Sequence, residues 1–312
     1  MGVARLRERR LIFVTGKGGV GKTTIAAGLA RAIADGGRSV LLCSVDERRD
    51  LADAFGVAPL KFQPTQVDAR LSLMAMDTEA ALREYLRIYL KLPIVGRIGP
   101  VAAAFDFVAT AAPGVREILT IGKVCYEVRE KRYDTVVVDS PSTGHITGYL
   151  AAPQALQQLI RVGMIRSQSD WMLSMLSDET TTGVVVVTTP EEMPVNETLQ
   201  LLSAIRTDTT THVAAVIVNR VLADLFVSRD AALVQRLARE RPAPFDEASL
   251  DGLFAAAALA SERRAVASEH LEVLRAGLPS DLPVVIQPFL FDVSSPQRIV
   301  AHVASSLGEE IS

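Results

Sequence analysis

Gly16-Lys17-Gly18-Gly19-Val20-Gly21-Lys22-Thr23-Thr24 is the stretch that decides the fold, and it fits G-x-x-x-x-G-K-[ST] from Gly16 to Thr23. Leu11-Ile12-Phe13-Val14 before it reads as a short buried strand, and Thr23-Thr24-Ile25-Ala26-Ala27 opens a helical pattern after it. Strand, glycine loop and helix N-terminus in that order bring backbone N–H groups together around a phosphate. The glycines let the chain curl with its amides inward, so Gly16, Lys17, Gly18, Gly19, Val20, Gly21, Lys22, Thr23 and Thr24 form the expected cradle. Lys22 supplies a point charge to the terminal phosphates, and Thr23 a hydroxyl to Mg²⁺. Lys17 is a second lysine in the loop. Only six of the 33 basic residues in this 312-residue chain are lysines and two of the six lie here, which argues against an ordinary solvated surface charge.

Seven apolar, β-branched runs read as strands: 11–15, 39–45, 71–76, 135–139, 183–189, 214–219 and 283–288. Val136-Val137-Val138, Val184 to Val187 and Val216-Ile217-Val218 do not alternate, as expected of strands covered on both faces of a parallel sheet. Helical patterns lie between them at 23–35, 78–91, 114–131, 146–162, 195–206, about 229–240, 247–276 and 296–309. This order predicts an α/β fold: a doubly wound, mostly parallel sheet of seven to eight strands, as in P-loop NTPases. One domain is expected over 1–312, with helical insertions at about 78–131 and 153–180. Pro93, Gly96, Gly99 and Pro100 break the first insertion, and Val101 to Thr110 resumes an apolar run. Ser167 to Asp178 carries Trp171, Met172, Leu173, Met175 and Leu176. Such segments suit a hydrophobic groove for a partner helix, although packing on the sheet is the better account of any one residue.

Net charge −3 gives no reason to expect a nucleic-acid partner. Arg5, Arg7, Arg9 and Arg10 precede only four apolar residues, too few for a secretory signal, and no run is long enough to span a bilayer. A cytoplasmic protein without an integral membrane segment is expected. Cys43 and Cys125 provide neither a disulfide framework nor a Cys-x-x-Cys metal site.

Two carboxylates complete the expected site. Val136-Val137-Val138-Asp139 is an apolar strand ending in an acid, which at the C-terminal sheet edge would lie beside Thr23 and organise Mg²⁺ through water. The hydroxyl-rich turn from Ser140 to His145 suits a sensor of the terminal phosphate, with no catalytic role for His145. Asp46, at the tip of the second strand, either orients a water on that phosphate or caps the next helix, and its position alone does not choose. Asp50 and Asp53 read as solvated helix charges.

Lys17 resembles the second lysine of the deviant P-loop branch that includes MinD/ParA proteins, nitrogenase iron protein and the arsenite-pump ATPases. The resemblance implies that Lys17 reaches across a dimer interface to a partner's nucleotide. Asp46-Glu47-Arg48-Arg49-Asp50-Leu51-Ala52-Asp53-Ala54-Phe55 resembles the first switch of the arsenite-pump and tail-anchored-protein-targeting ATPases, D-P-A-H-[SN]-L-x-D-x-F. Asp139-Ser140-Pro141-Ser142-Thr143-Gly144-His145 is similar to their second switch, D-T-A-P-T-G-H, and Pro113-Gly114-Val115-Arg116-Glu117 to the turn before their fourth strand. Val218-Asn219-Arg220 falls where the family has an adenine-contacting asparagine, and Pro288-Phe289-Leu290 matches the late P-L-L segment over the base. The likeness spans residues 11 to about 293 and is greatest to the shorter bacterial Get-like proteins. It implies ATP/ADP and Mg²⁺ as cofactors, Asn219, Pro288 and Phe289 around the base, and Asp46 as the water-activating residue.

There are departures. Glu47-Arg48-Arg49 replaces Pro-Ala-His in the first switch, which points to slow or differently gated hydrolysis. No thiol triad for a soft metal can be assembled from Cys43 and Cys125. The Cys-x-x-Cys zinc staple of the eukaryotic targeting factors is missing, and the segment from Pro153 to Gly183 is shorter than their client-binding region. The expectation is a dimeric, Mg-ATP-hydrolysing switch whose closure moves the helical insertions, as a homodimer or with a paralogue. Alternatives are a targeting or holdase module for hydrophobic membrane-protein segments, or a catalytically weak structural partner of a paralogous ATPase. An arsenite-pump subunit ranks last.

Overall fold

Eight strands form one sheet: β1 (Leu11–Gly16), β2 (Val40–Ser44), β3 (Thr65–Gln66), β4 (Leu71–Ala75), β5 (Thr135–Ser142), β6 (Thr182–Thr188), β7 (Val213–Val221) and β8 (Val284–Pro288). The computed structural model describes residues 4–45, 50–89, 114–159, 162–223, 236, 239–240, 247–291 and 295–311. The spatial order is β3-β4-β2-β5-β1-β6-β7-β8. Every pairing is parallel except β3 with β4. The sheet is therefore mostly parallel, with the glycine loop leaving its centre. All seven expected strands form. β3 is an addition, two exposed residues with no apolar signal.

The ten helices of the described residues are α1 (Ala4–Glu8), α2 (Lys22–Asp35), α3 (Asp50–Phe55), α4 (Thr78–Tyr89), α5 (Val115–Arg129), α6 (Thr143–Leu159), α7 (Met164–Ser177), α8 (Glu192–Asp208), α9 (Glu247–Gly277) and α10 (Pro296–Ile311). The run at 101–110 lies outside the described residues, as does the helix expected at 229–240 apart from 236, 239 and 240.

The unalternating valine runs divide their side chains between two cores. Leu11, Phe13, Leu41, Val136, Val138, Val184, Val186, Val216 and Val218 face one core with residues of α4 to α9. Ile12, Val14, Leu42, Val137, Val185, Val187 and Ile217 face the other with α2, α3 and α10. Period-two geometry is thus present without polar alternation, because both faces are covered. Of the second insertion, Met172 and Leu176 are buried in the first core and Trp171 and Met175 pack partly against it, so this stretch is mainly a covering helix. Among residues 251–266 of α9 none is buried; its anchors are Ala267, Leu271 and Leu274.

Helices α4 and α5 are joined by charge. Lys123 Nζ lies 2.7 Å from Glu127 Oε1 and 2.6 Å from Glu84 Oε2, with its ammonium 4.7 Å from the Phe62 ring centroid. Lys123 and Glu127 are buried.

Cys43 on β2 and Cys125 on α5 are both free and buried. Burial pushes the Cys43 thiol up to about 12 and raises that of Cys125 as well. Neutral, enclosed thiols are poor nucleophiles and poor soft-metal ligands. Neither should react with a water-soluble disulfide reagent in the native chain, and both should react once urea unfolds it. Rapid labelling of the native chain would contradict this.

Candidate nucleotide-phosphate site

The site is built where three adjacent central strands end. β5 pairs with β1 so that Asp139 lies opposite Val14, and with β2 so that it lies opposite Ser44. The next residues of β1 run into the loop, and Thr15 Oγ1 donates to the Pro141 carbonyl at 2.8 Å, joining the loop's start to the turn after Asp139. Gly16 has φ of 150°, and a Cβ there would overlap the Val187 carbonyl oxygen of β6. Only glycine lets the chain leave the sheet this close to its neighbour.

Helix α2 begins at Lys22 with Gly21 as its left-handed N-cap and no acidic residue in its first turn. Its N-terminal N–H groups and dipole thus suit an anion, with no carboxylate from the helix's own first turn competing. Thr23 Oγ1 donates to Asp139 Oδ2 at 2.8 Å, and Asp139 is only 8% exposed. Lys22 Nζ donates to the Lys17 carbonyl at 3.1 Å. Beside these residues lies a cavity of about 350 Å³, with Gly19, Gly21, Lys22, Thr23 and Thr24 on one side and Asp50, Ala54, Pro296 and Ile299 on the other.

The oxygen donors of Thr23 and Asp139 fit Mg²⁺, a hard cation that typically takes one or two protein oxygens together with substrate phosphates. Among the described residues no cluster of three or more His, Cys, Asp or Glu could hold a metal on its own. Any Mg²⁺ here would depend on the nucleotide's phosphates to complete its shell.

The end of β7 is tied to the loop. Asn219 on β7 is 8% exposed; its Nδ2 donates to the Val20 carbonyl at 2.9 Å, and its Oδ1 accepts from the Arg220 N–H at 3.0 Å. A Cβ on Gly21 would lie 2.5 Å from that Nδ2, so the asparagine packs on the loop itself. Pro288 pairs with Val221, and the Phe289 N–H donates to the Val221 carbonyl at 2.8 Å. The half-exposed Phe289 ring stands edge-on to Phe291, centroids 4.9 Å apart. Asn219, Pro288 and Phe289 thus share the β7–β8 end of the sheet.

Lys17 lies in this chain's own network: its Nζ is 2.7 Å from Glu197 Oε1 on α8. Glu197 Oε2 accepts from Thr143 Oγ1 at 3.0 Å. The hydrogen bond from Lys17, with a smaller one from Thr143, holds the Glu197 carboxyl below the usual carboxylate range. Glu197 has no motif signature. It follows the acidic pair Glu191 and Glu192 on a helix and reads as a solvated face, so only its position after β6 could have marked it. Asp46 lies outside the described residues. Val45 just before it donates its N–H to the Asp139 carbonyl at 3.1 Å and accepts a long 3.4 Å bond from Arg116 Nη2 on α5. Asp50, Asp53 and His145 are exposed.

A family profile described as anion-transporting ATPase matches residues 9–175 and 164–240. The chain is 38% identical over 228 residues to ATPase BagA of Mycobacterium tuberculosis, a match that covers 70% of this chain and 66% of that protein. It is 35% identical over 165 residues to ATPase get3 of Neurospora crassa (52% of this chain, 48% of that one). Against an ATPase ASNA1 homolog of Cryptosporidium parvum it is 30% identical over 205 residues, covering 65% and 52%. The match thus spans just under two thirds of the mycobacterial relative and about half of the others. No helix of the described residues is long and apolar enough to cross a membrane. With the glycine loop, the Thr23–Asp139 pair and a matched region running from Arg9 to Glu240, the chain belongs to the anion-transporting (ArsA-type) ATPase family.

Proposed function

We propose that this chain is a cytoplasmic Mg-ATP-hydrolysing switch that closes as a dimer on ATP and opens on hydrolysis. The observation that carries the reading is the 2.8 Å hydrogen bond between Thr23 and Asp139, which sets a hydroxyl and a buried carboxylate side by side where the glycine loop enters its helix. Lys22, the loop amides and the N-terminus of α2 hold the phosphates. Mg²⁺, when bound with nucleotide, neutralises charge on the transferring phosphoryl group. Thr23 and Asp139 orient it, Asp46 positions the attacking water, and Asn219, Pro288 and Phe289 bound the base. Lys17 reaches the nucleotide of a second subunit, either a copy of this chain or a paralogue. Arg116 on α5 touches Val45, next to Asp46, and offers a route from the water-positioning segment to the helical insertions.

The reading is tested by phosphate release from the purified chain in Mg-ATP and by its sedimentation in ADP and in a slowly hydrolysed ATP analogue. ATP-specific dimerisation with turnover supports it, and absence of nucleotide binding sinks it. Release that appears only on mixing with a second ATPase favours the paralogue-partner alternative. Asp139→Asn should keep nucleotide but lower Mg²⁺ affinity or turnover about 10- to 100-fold, as changes behind a metal ligand do. A Mg²⁺ titration of phosphate release checks this.

A client-holding role has its own support. Between α4, α5, α6 and α7 lies a largely apolar cavity of about 260 Å³, lined in part by Leu82, Ile88, Ile118, Leu156, Trp171 and Met172. Co-expression with a single hydrophobic transmembrane segment tests it; failure to form a complex in any nucleotide state removes it. The buried, neutral thiols argue against arsenite as a ligand.

A further inference from the structure

One carboxylate holds a residue of the glycine loop and a residue of the turn after Asp139. Glu197 Oε1 lies 2.7 Å from Lys17 Nζ in the glycine loop, and its Oε2 accepts from Thr143 Oγ1, four residues beyond Asp139. Three separate segments, following β1, β5 and β6, therefore meet on a single side chain. The Lys17 and Glu197 side chains are 28% and 29% exposed, so the bridge stands at the rim, open to water and to an incoming anion.

An ammonium that points along its own chain to Glu197 does not extend toward a second subunit. We propose that Glu197 is a positioning residue that latches Lys17 to Thr143 in the nucleotide-free chain, and that dimer closure on Mg-ATP requires the latch to open. The inference rests on the reading of Lys17 given above. The magnitudes suit a latch. A partly exposed ion pair is worth only about a two- to fivefold bias in an equilibrium, enough to restrain but not to block. A triphosphate carries more charge than one carboxylate and outcompetes it. Glu197 thereby sets how much ATP is needed to free both residues together.

Glu197→Gln keeps an acceptor oxygen for Thr143 and nearly the same shape while removing the charge that holds Lys17. The Mg-ATP concentration for half-maximal dimerisation should fall about two- to fivefold, with kcat changed far less. The difference from the native chain should shrink at about 1 M salt, where screening acts within about 3 Å. Glu192→Gln, an equal charge change at an exposed position on the same helix, should produce no shift, and Glu197→Asp, which keeps the charge, a smaller one. The latch is overturned by an unchanged midpoint in Glu197→Gln, by an equal shift in Glu192→Gln, or by a raised midpoint with reduced kcat. A native chain that stays monomeric in Mg-ATP overturns the underlying reading and the latch with it. A native chain that dimerises while Glu197→Gln matches it overturns the latch alone.

Discussion

Lys17→Ala should bind Mg-ATP almost as the native chain does, yet lose ATP-dependent dimerisation and about 10³-fold in turnover. The two halves of this result have separate causes. In the proposed site, binding would rest on Lys22, the loop amides and the Thr23–Asp139 pair, none of which is hydrogen-bonded to Lys17's side chain. Folding is spared as well, since the Lys17–Glu197 pair is partly exposed and contributes about 1 kcal/mol or less. Turnover is different. A cation supplied by a second subunit to the transferring phosphoryl group is worth about 10³ to 10⁵, and a lysine, lacking a guanidinium's fork, belongs at the lower end. Equilibrium nucleotide binding, sedimentation and phosphate release on one preparation separate the effects. Native turnover in the variant would leave Lys17 as no more than the partner of Glu197.

Lys123→Ala should do the reverse: unfold the protein early and leave the nucleotide site alone. Its ammonium sits between Glu127 and Glu84, whose side chains are 1% and 15% exposed, and truncation leaves two carboxylates facing each other out of water. Among the described residues Glu127 Oε2 has no hydrogen-bond partner, so the carboxylate relies on its other oxygen and Lys123. Breaking a buried ion pair from one side costs about 3–5 kcal/mol. In a chain of this size that lowers Tm by on the order of 10 °C. Replacing all three with neutral residues of similar size (Lys123→Met, Glu127→Gln, Glu84→Gln) should recover most of the loss, because the uncompensated charges disappear together. Thermal unfolding with and without Mg-ATP checks both points. A near-native melt for Lys123→Ala would mean that water reaches the cluster.

What the sequence made legible divides along physical lines. The strands of the sheet interior announced themselves because burial on both faces demands unbroken apolar runs, as in Val184 to Val187. β3 did not, since Thr65 and Gln66 are held by pairing with β4 rather than by burial. The loop and Asp139 stood out because a glycine-rich motif and an apolar strand ending in an acid constrain residue type and spacing together, and the fold brings Asp139 within 2.8 Å of Thr23. Glu197 and the Lys123 cluster were not. Lys123 and Glu127 have the spacing of an ordinary surface helix pair, and only tertiary structure shows that one buries both while α4 delivers Glu84. Asn219 was singled out by the resemblance, but its hydrogen bond to Val20 comes from two strands coming together, which no local pattern encodes.

The central place of β1 has a consequence for how the molecule comes apart. Every residue of β1 is buried, and β5 and β6 pair with it on either side, whereas β3 and β8 form the two edges of the sheet. Fraying starts where pairing is one-sided, so partial opening of the native chain strips the margins before it reaches the strand that carries the glycine loop. In amide hydrogen exchange β1 should belong to the slowest class, so the strand under the glycine loop should outlast the helices at the margins of the sheet.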